Sequence, residues 1–110
     1  MVSIIPNWAE LEGEVVRVEP SDRYPGFTAV HVRVQEVTPV EGFPDLLKES
    51  RGQVVPVLVR NDLAATTELD VGLLVTCRAR RADRRTVFVD PRRLETRRPG
   101  DPPGSDRSST

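Results

Sequence analysis

Few side chains in this sequence are of the types that perform catalysis or hold a metal ion. The 110 residues include one histidine, His31, and one cysteine, Cys77, so neither residue type can form a cluster of metal ligands. Carboxylates are abundant, but no spacing pairs two of them for acid–base work in a pocket. The sequence also lacks a glycine-rich phosphate-binding loop and a Gly-x-Ser-x-Gly motif. We therefore expect a non-catalytic protein with no catalytic residue, no metal and no cofactor.

The arginines are concentrated in the second half of the chain. Nine of the fifteen lie within residues 77–98, together with three acids, which gives this segment a net charge of +6. Guanidinium groups suit the two-point geometry of phosphate, and a basic hairpin beside a sheet can follow a nucleic-acid backbone. The alternative is a solvated hairpin whose arginines pair with acids of the first half, because residues 1–50 carry a net charge of −5 and residues 51–110 one of +4.

Three rings near the first half of the chain are candidates for stacking on nucleic-acid bases: Tyr24, Phe27 and His31. Surfaces that bind single strands usually present several such rings, whereas this chain has five aromatic residues in all. Phe27 could instead cover one end of the core, and His31 could be an ordinary surface residue. Trp8 has two interpretations as well, an anchor for a partner or a side chain packed on the end of the domain.

These side chains must be positioned by short strands. Val30, Val32 and Val34 stand two apart within Phe27–Val37, which predicts a strand that buries the valines and exposes His31 and Arg33. Similar patterns predict strands over residues 9–19, 53–60, 73–81 and 86–90, with a hairpin at 82–85. A change of phase beside Gly13 predicts a bulge, and Pro56 predicts an edge or an opening of the barrel. Helical turns are predicted at 43–50 and 63–68, the second capped by Asn61 or Asp62.

The two ends of the chain differ in composition from the middle. Residues 1–8 are predicted to form an arm with Ile4 and Ile5 packed on a barrel of residues 9–95. Residues 96–110 are rich in Pro, Gly, Ser and charge, which predicts a disordered tail. The N-terminus lacks the basic region and apolar run of a signal peptide, and no segment is apolar enough for a membrane span. We expect a soluble, cytoplasmic protein without membrane contact.

The predicted order of elements resembles the OB fold, a five-stranded Greek-key barrel. The first strand bends at a glycine, a short helix lies between strands three and four, and the last two strands form a tight hairpin. The matching segments are EGEVVRVEP (12–20), FTAVHVRVQEV (27–37), QVVPVLVR (53–60), LDVGLLVTCRARRAD (69–83) and TVFVD (86–90). The helical insert at 43–50 departs from the minimal pattern. The fold class expected is therefore all-β, a small five-stranded OB-like barrel with one or two short helices.

This resemblance implies where a ligand would bind. OB folds bind ligands on the face of strands two and three, flanked by the first–second and fourth–fifth loops. Carried onto this chain, the face offers Phe27, His31, Arg33 and Gln35. The first loop offers Arg23 and Tyr24, and the last hairpin offers Arg80, Arg81, Arg84 and Arg85.

Two functions remain open at the level of the sequence. One is a binding module that contacts single-stranded DNA or RNA through the residues named above. The other is a protein-interaction or accessory module without nucleic-acid binding, which the net charge of −1 and the opposed charges of the two halves favour. Its contact would be carried by an edge strand, the 43–50 insert or the arm.

Overall fold

The computed structural model of the protein describes residues 7–43, 47–83 and 86–99. Within these residues the chain forms five strands, β1 (Ala9–Pro20), β2 (Phe27–Pro39), β3 (Val54–Arg60), β4 (Leu74–Asp83) and β5 (Thr86–Arg97). They form a closed barrel in the order β1-β2-β3-β5-β4, in which β4 pairs back onto β1. The pairings are antiparallel except for β3 with β5, which run parallel. The predicted all-β, five-stranded barrel is therefore confirmed.

The interior of the barrel is filled mainly by valine. Val30, Val32 and Val34 of β2 are each 1% exposed, and the residues between them lie on the outer side. β-branched side chains suit this arrangement because they pack well on a pleated sheet and have few rotamers to lose. Cys77 of β4 is also buried in this core, as the alternation predicted.

β1 bends where Gly13 approaches its neighbour. The β1–β2 register shifts between Glu12 and Gly13 and again between Val15 and Arg17. A Cβ atom on Gly13 would lie 2.3 Å from the carbonyl oxygen of Arg33 and 2.5 Å from a methyl group of Val32. Glycine therefore lets the two backbones come close at the bend, and the predicted bulge is confirmed.

In the described part of the chain two helical segments join the strands, and one differs from expectation. The helix α1 spans Asn61–Thr66, two residues earlier than predicted, and its N-cap residue is Arg60, without a side-chain cap bond. The capping prediction is therefore wrong. The side-chain oxygen of Asn61 instead accepts a hydrogen bond from the hydroxyl of Thr28 at 2.7 Å, which ties the start of α1 to β2.

The second segment lies between β2 and β3. Of the turns predicted over residues 43–50, the structure describes a 3-10 turn at Lys48–Ser50. Leu47, just before it, is 1% exposed and packs in the core, as predicted. Residues 44–46 lie outside the described residues, and so do residues 1–6 with Ile4 and Ile5, the arginines at 84 and 85, and the tail from residue 100.

The fifth strand is longer than its sequence pattern predicts. Alternating apolar residues end near Asp90, but β5 continues to Arg97. Its second half pairs with β4 from Cys77↔Leu94 to Leu74↔Arg97. Ladder hydrogen bonds rather than a buried face extend the strand, and Leu94 is the apolar residue that still packs against the core.

The length and apolar character of the helices bear on whether the chain could cross a membrane. Among the described residues, α1 is the longest helix, and no helix has the length and apolar character needed to cross a bilayer.

Candidate nucleic-acid interface

The loop between β1 and β2 is a compact turn that presents Tyr24. The amide of Ser21 donates to the carbonyl of Phe27 at 3.0 Å, and the amide of Phe27 donates to the carbonyl of Tyr24 at 3.1 Å. The Ser21 hydroxyl accepts a hydrogen bond from the Tyr24 amide at 3.1 Å. These bonds close the loop, because Ser21 and Phe27 lie at its two ends.

Three aromatic rings meet under this loop, and we call Tyr24, Phe27 and Phe88 the aromatic corner. The Phe88 centroid lies 5.6 Å from that of Tyr24 and 5.5 Å from that of Phe27, both in edge-to-face geometry. The Tyr24 hydroxyl lies 3.4 Å from the hydroxyl of Thr86, which is buried. Such pairs contribute about 0.5–1.5 kcal/mol beyond their buried area. The corner therefore joins the β1–β2 loop to β2 and β5.

Two arginines lie over the rings of the aromatic corner. The Arg80 guanidinium carbon is 5.2 Å from the Phe88 centroid, and that of Arg23 is 5.7 Å from the Tyr24 centroid. Both distances are within the range of cation–π attraction. Arg80 comes from β4 and Arg23 from the β1–β2 loop, so the fold brings together cations that are far apart in the chain.

A pocket of about 230 Å³ opens beside the aromatic corner, and we call it the loop pocket. Ala29, Pro56 and Leu58 form an apolar part of its lining, from β2 and β3. Tyr24 and His31 add two rings to its lining, together with the charged groups of Glu19, Asp22 and Arg23. An apolar floor with a few polar groups at the rim is typical of small ligand sites.

The β1 side of this face is neutralised by ion pairs. His31 Nε2 lies 2.8 Å from Glu19 Oε2, and Arg17 Nη2 lies 2.9 Å from the other oxygen of Glu19. Arg33 Nη1 lies 3.4 Å from Glu14 Oε1. The hydrogen bond from His31, aided by the charges of Arg17 and His31, holds the pKa of Glu19 below its ordinary value of 4.5. The face is thus mixed in charge along β1 and β2.

The base of the β4–β5 hairpin meets the loop pocket at Thr86, which is part of the pocket lining. The side chain of Asn7 accepts a hydrogen bond from the Arg81 amide at 2.8 Å and donates to the Arg81 carbonyl at 3.0 Å. The Arg81 guanidinium donates to the Asp83 carbonyl at 3.3 Å and lies 3.5 Å from the Ser50 hydroxyl. Arg81 therefore faces the start of β3, next to the β2 face that holds His31.

The structure brings some of the predicted site residues together and separates others. Arg23, Tyr24, Phe27 and Arg80 meet at the aromatic corner, and His31 borders the loop pocket. Arg81 lies at the hairpin base, whereas Arg33 is exposed and paired with Glu14 on the β1 side. Arg84 and Arg85 are outside the described residues. Whether these side chains bind a ligand stays a prediction.

Sequence reasoning missed two side chains of this region, Phe88 and Glu19. Phe88 falls out of phase with Val87 and Val89, so its outward direction was predicted. That direction, combined with the position of the last strand, would have indicated a surface ring. Glu19 gave no such signal, because its contact with His31 depends on the shifted β1–β2 register.

The remaining reactive groups do not form a second site in the described part of the chain. Burial raises the pKa of the Cys77 thiol to about 12, so this side chain stays protonated at neutral pH. No group of three or more His, Cys, Asp or Glu side chains suited to a metal ion occurs among the described residues. Comparison of the chain with protein-family models, with curated proteins and with solved structures gives no match.

Proposed function

We propose that this protein is an OB-fold binding module that contacts single-stranded DNA or RNA without catalysing a reaction. The OB assignment is supported by the closed strand order β1-β2-β3-β5-β4, by the parallel pairing of β3 with β5, and by α1 between β3 and β4. Because this barrel hosts many unrelated ligands, the fold alone does not select nucleic acid.

The observation that carries the proposal is the convergence of rings and arginines around the loop pocket. Tyr24 and His31 border a space with an apolar floor, and Arg23 and Arg80 lie over neighbouring rings. In the proposed complex one unpaired base enters the pocket and its phosphates contact the arginines. Stacking of one base on a side-chain ring contributes about 1–3 kcal/mol.

In this proposal the distribution of charge on the protein surface determines the path of the bound nucleic-acid strand. Glu14 and Glu19 lie on the β1 side, where they neutralise Arg33 and Arg17, so this side offers phosphate no net attraction. Arg80 and Arg81 lie at the base of the hairpin, which meets the loop pocket at Thr86. In the proposed complex the nucleic-acid backbone therefore runs from the β1–β2 loop across β3 to the β4–β5 hairpin. It does not contact the outer face of β1.

The experiment is fluorescence anisotropy with labelled dT and rU dodecamers at low and moderate salt. With three phosphate contacts on a single strand, the affinity should fall roughly twentyfold between 50 and 200 mM salt. Arg80→Gln should reduce the slope of log affinity against log salt by about 0.7. Arg93→Gln is the matched control, because Arg93 is an exposed arginine in the second half of β5.

The ring contribution is tested separately with Tyr24→Leu. This variant should lose the stacking energy of one base, while Tyr24→Phe keeps the ring and loses only the hydroxyl that faces Thr86. Thermal unfolding of both variants shows whether the barrel is intact. No binding of either dodecamer at tens of micromolar wild-type protein would remove the proposal.

A second candidate is a protein-interaction module, which the neutralised β1–β2 face favours. The pairs Arg17–Glu19 and Arg33–Glu14 leave this surface without a continuous positive field. Phe43, the first residue of the 43–50 insert, is 38% exposed, and Val54, at the start of β3, is 49% exposed. Light scattering and pull-down with mass spectrometry test this function. A partner that is captured by the full chain and lost on deleting residues 43–50 would support this function. Capture that is unchanged by the deletion would show that the insert does not carry the contact.

A further inference from the structure

The floor of the loop pocket consists of two rows of residues that cross neighbouring strands. In the first row Glu19 of β1 pairs with Ala29 of β2, which pairs with Leu58 of β3. In the second row, on the same face, His31 of β2 pairs with Pro56 of β3. All five residues line the pocket. The floor is therefore apolar toward β3 and has a carboxylate on its β1 side.

The β1–β2 loop adds a second carboxylate to the rim of the pocket. Asp22 and Arg23 lie between Ser21 and Tyr24, and the turn is closed by the 3.1 Å hydrogen bond from the Tyr24 amide to the Ser21 hydroxyl. The Ser21 amide is itself bonded to the Phe27 carbonyl at 3.0 Å. These bonds hold both ends of the segment that carries the two charged side chains, and both side chains line the pocket.

The two carboxylates of the pocket differ in the bonds that they already make. Glu19 is engaged at both oxygens, by Arg17 Nη2 at 2.9 Å and by His31 Nε2 at 2.8 Å. Asp22 is exposed, and no ion pair of its carboxylate occurs among the described residues. Asp22 is thus the carboxylate of the pocket whose two oxygens can both accept from a ligand.

A carboxylate with two open oxygens selects among the bases by their Watson–Crick edges. It only accepts hydrogen bonds, so it suits two N–H donors that lie side by side. Guanine presents such a pair, N1–H and the 2-amino group. Thymine and uracil place carbonyl oxygens on both sides of N3–H, and adenine and cytosine place an acceptor nitrogen beside the amino group. Guanine also has the acceptor O6 beside N1–H, which suits Arg23 because a guanidinium only donates.

We propose that the loop pocket prefers guanine to the other bases. This inference rests on the proposed function, since it names the base that enters the pocket. The purine lies on the apolar floor, its N1–H and 2-amino group donate to the carboxylate of Asp22, and its O6 faces Arg23. The acidic side chain thus meets the edge of the base, while the phosphates lie toward the arginines of the hairpin base.

The test is fluorescence anisotropy with labelled dT dodecamers in which one central nucleotide is replaced by dG, dA, dC or deoxyinosine. A single guanine in each strand avoids the association of guanine-rich strands with one another. The dG strand should bind about tenfold more tightly than the all-dT strand, since it gains one two-point, charge-assisted contact. The dA and dC strands should stay within about threefold of all-dT, because they differ mainly in stacking.

Deoxyinosine isolates the contact with the 2-amino group. Its base keeps N1–H and O6 but lacks that group, so it should lose most of the gain shown by dG. This comparison uses the wild-type protein, and it therefore decides the question even if a variant fails to fold.

The role of Asp22 is tested with Asp22→Asn. An asparagine offers one acceptor in place of two and opposes a donor with its own amide N–H, so the ratio of dG to dT affinity should fall to about twofold or less. Glu41→Gln is the matched control, because Glu41 is an exposed acid in the turn after β2 and does not line the loop pocket. It removes the same unit of charge and should keep the ratio of the wild type.

Three results would overturn the guanine preference: a dG strand that binds no more tightly than all-dT, equal binding of the deoxyinosine and dG strands, or an unchanged ratio in Asp22→Asn. If the all-dT strand binds and the dG strand binds equally, this inference fails while the nucleic-acid contact stands. If none of the strands binds at tens of micromolar protein, both proposals fall.

Discussion

At the scale of the residue, ion pairs change the charge of the outer surface of β1 and β2, which is part of the predicted binding face. His31 and Arg33 are exposed by the alternation of β2, yet each meets a carboxylate of β1, Glu19 and Glu14 respectively. Cross-strand pairs of this kind add little to stability when they are exposed to solvent. Their larger effect is to remove positive charge from the part of the face nearest β1, which moves the candidate site toward β3 and the hairpin.

The pair of His31 and Glu19 predicts a measurable pH dependence. Folding lowers the pKa of Glu19, so the stability that it contributes is present above its unfolded pKa and is lost as the pH falls through its lower, folded pKa. Replacing His31 by Ala should raise the folded pKa of Glu19 toward 4.5, because the largest cause of the shift is removed. Carboxyl ¹³C NMR titration measures this.

Arg33→Gln is the control for that titration, because Arg33 pairs with Glu14 and not with Glu19. It should leave the Glu19 titration unchanged. A Glu19 pKa that is the same in wild type and His31→Ala would contradict the assigned role of the histidine.

At the scale of the element, β1 serves two parts of the barrel because it bends. It pairs with β2 along its whole length and with β4 over Ala9–Glu14. The bend occurs where Gly13 allows close approach to Arg33 and Val32. A strand that changes direction in this way can belong to both halves of a small closed sheet, since bulges and glycines supply the curvature.

Gly13→Ala should therefore destabilise the protein by about 3 kcal/mol, since neither the Arg33 carbonyl nor the buried Val32 can move freely. Urea unfolding measures the change. Gly26→Ala is the matched control: its φ of +92° is strained for alanine, but an added Cβ would meet nothing within 4 Å, and we expect a cost of about 1 kcal/mol. Equal costs for the two variants would contradict close approach at Gly13.

At the scale of the whole molecule, closure depends on β5, which lies between β3 and β4. Its first half provides the bridge to β3 and the Phe88 ring, and its second half pairs with the start of β4. Among the described residues the first connection is a single bridge, whereas the second is a continuous ladder from Cys77↔Leu94 to Leu74↔Arg97.

Ending the chain after Asp90 should destabilise it by at least about 2 kcal/mol, because the contact of Leu94 with the core is lost together with the ladder from Cys77 to Leu74. Ending it after Pro99 is the control, since all described residues of β5 remain. Chemical unfolding compares the two chains. Equal stability would show that the second half of β5 adds nothing to the barrel.

Much of the fold could be predicted because period-two alternation is a local property of the sequence. Val30, Val32 and Val34 specify one buried face, and the same pattern located the start of β1, the extent of β3 and the burial of Cys77. The helix cap was wrong for a physical reason: the Asn61 side chain is bonded to Thr28 of β2, a contact that sequence spacing does not encode. The length of β5 was underestimated because backbone ladder bonds form without an alternating pattern of apolar side chains.

The sequence by itself determined an all-β chain of five valine-rich strands with a basic last hairpin, because hydropathy and charge are properties of each side chain. The tertiary structure alone decided which of those residues meet. It paired Arg33 and His31 with glutamates, gathered Phe88 with Tyr24 and Phe27, and left β3 and β5 joined at one bridge among the described residues. These contacts join residues up to 64 positions apart in the chain, and their geometry depends on strand register and barrel closure, which no local pattern specifies.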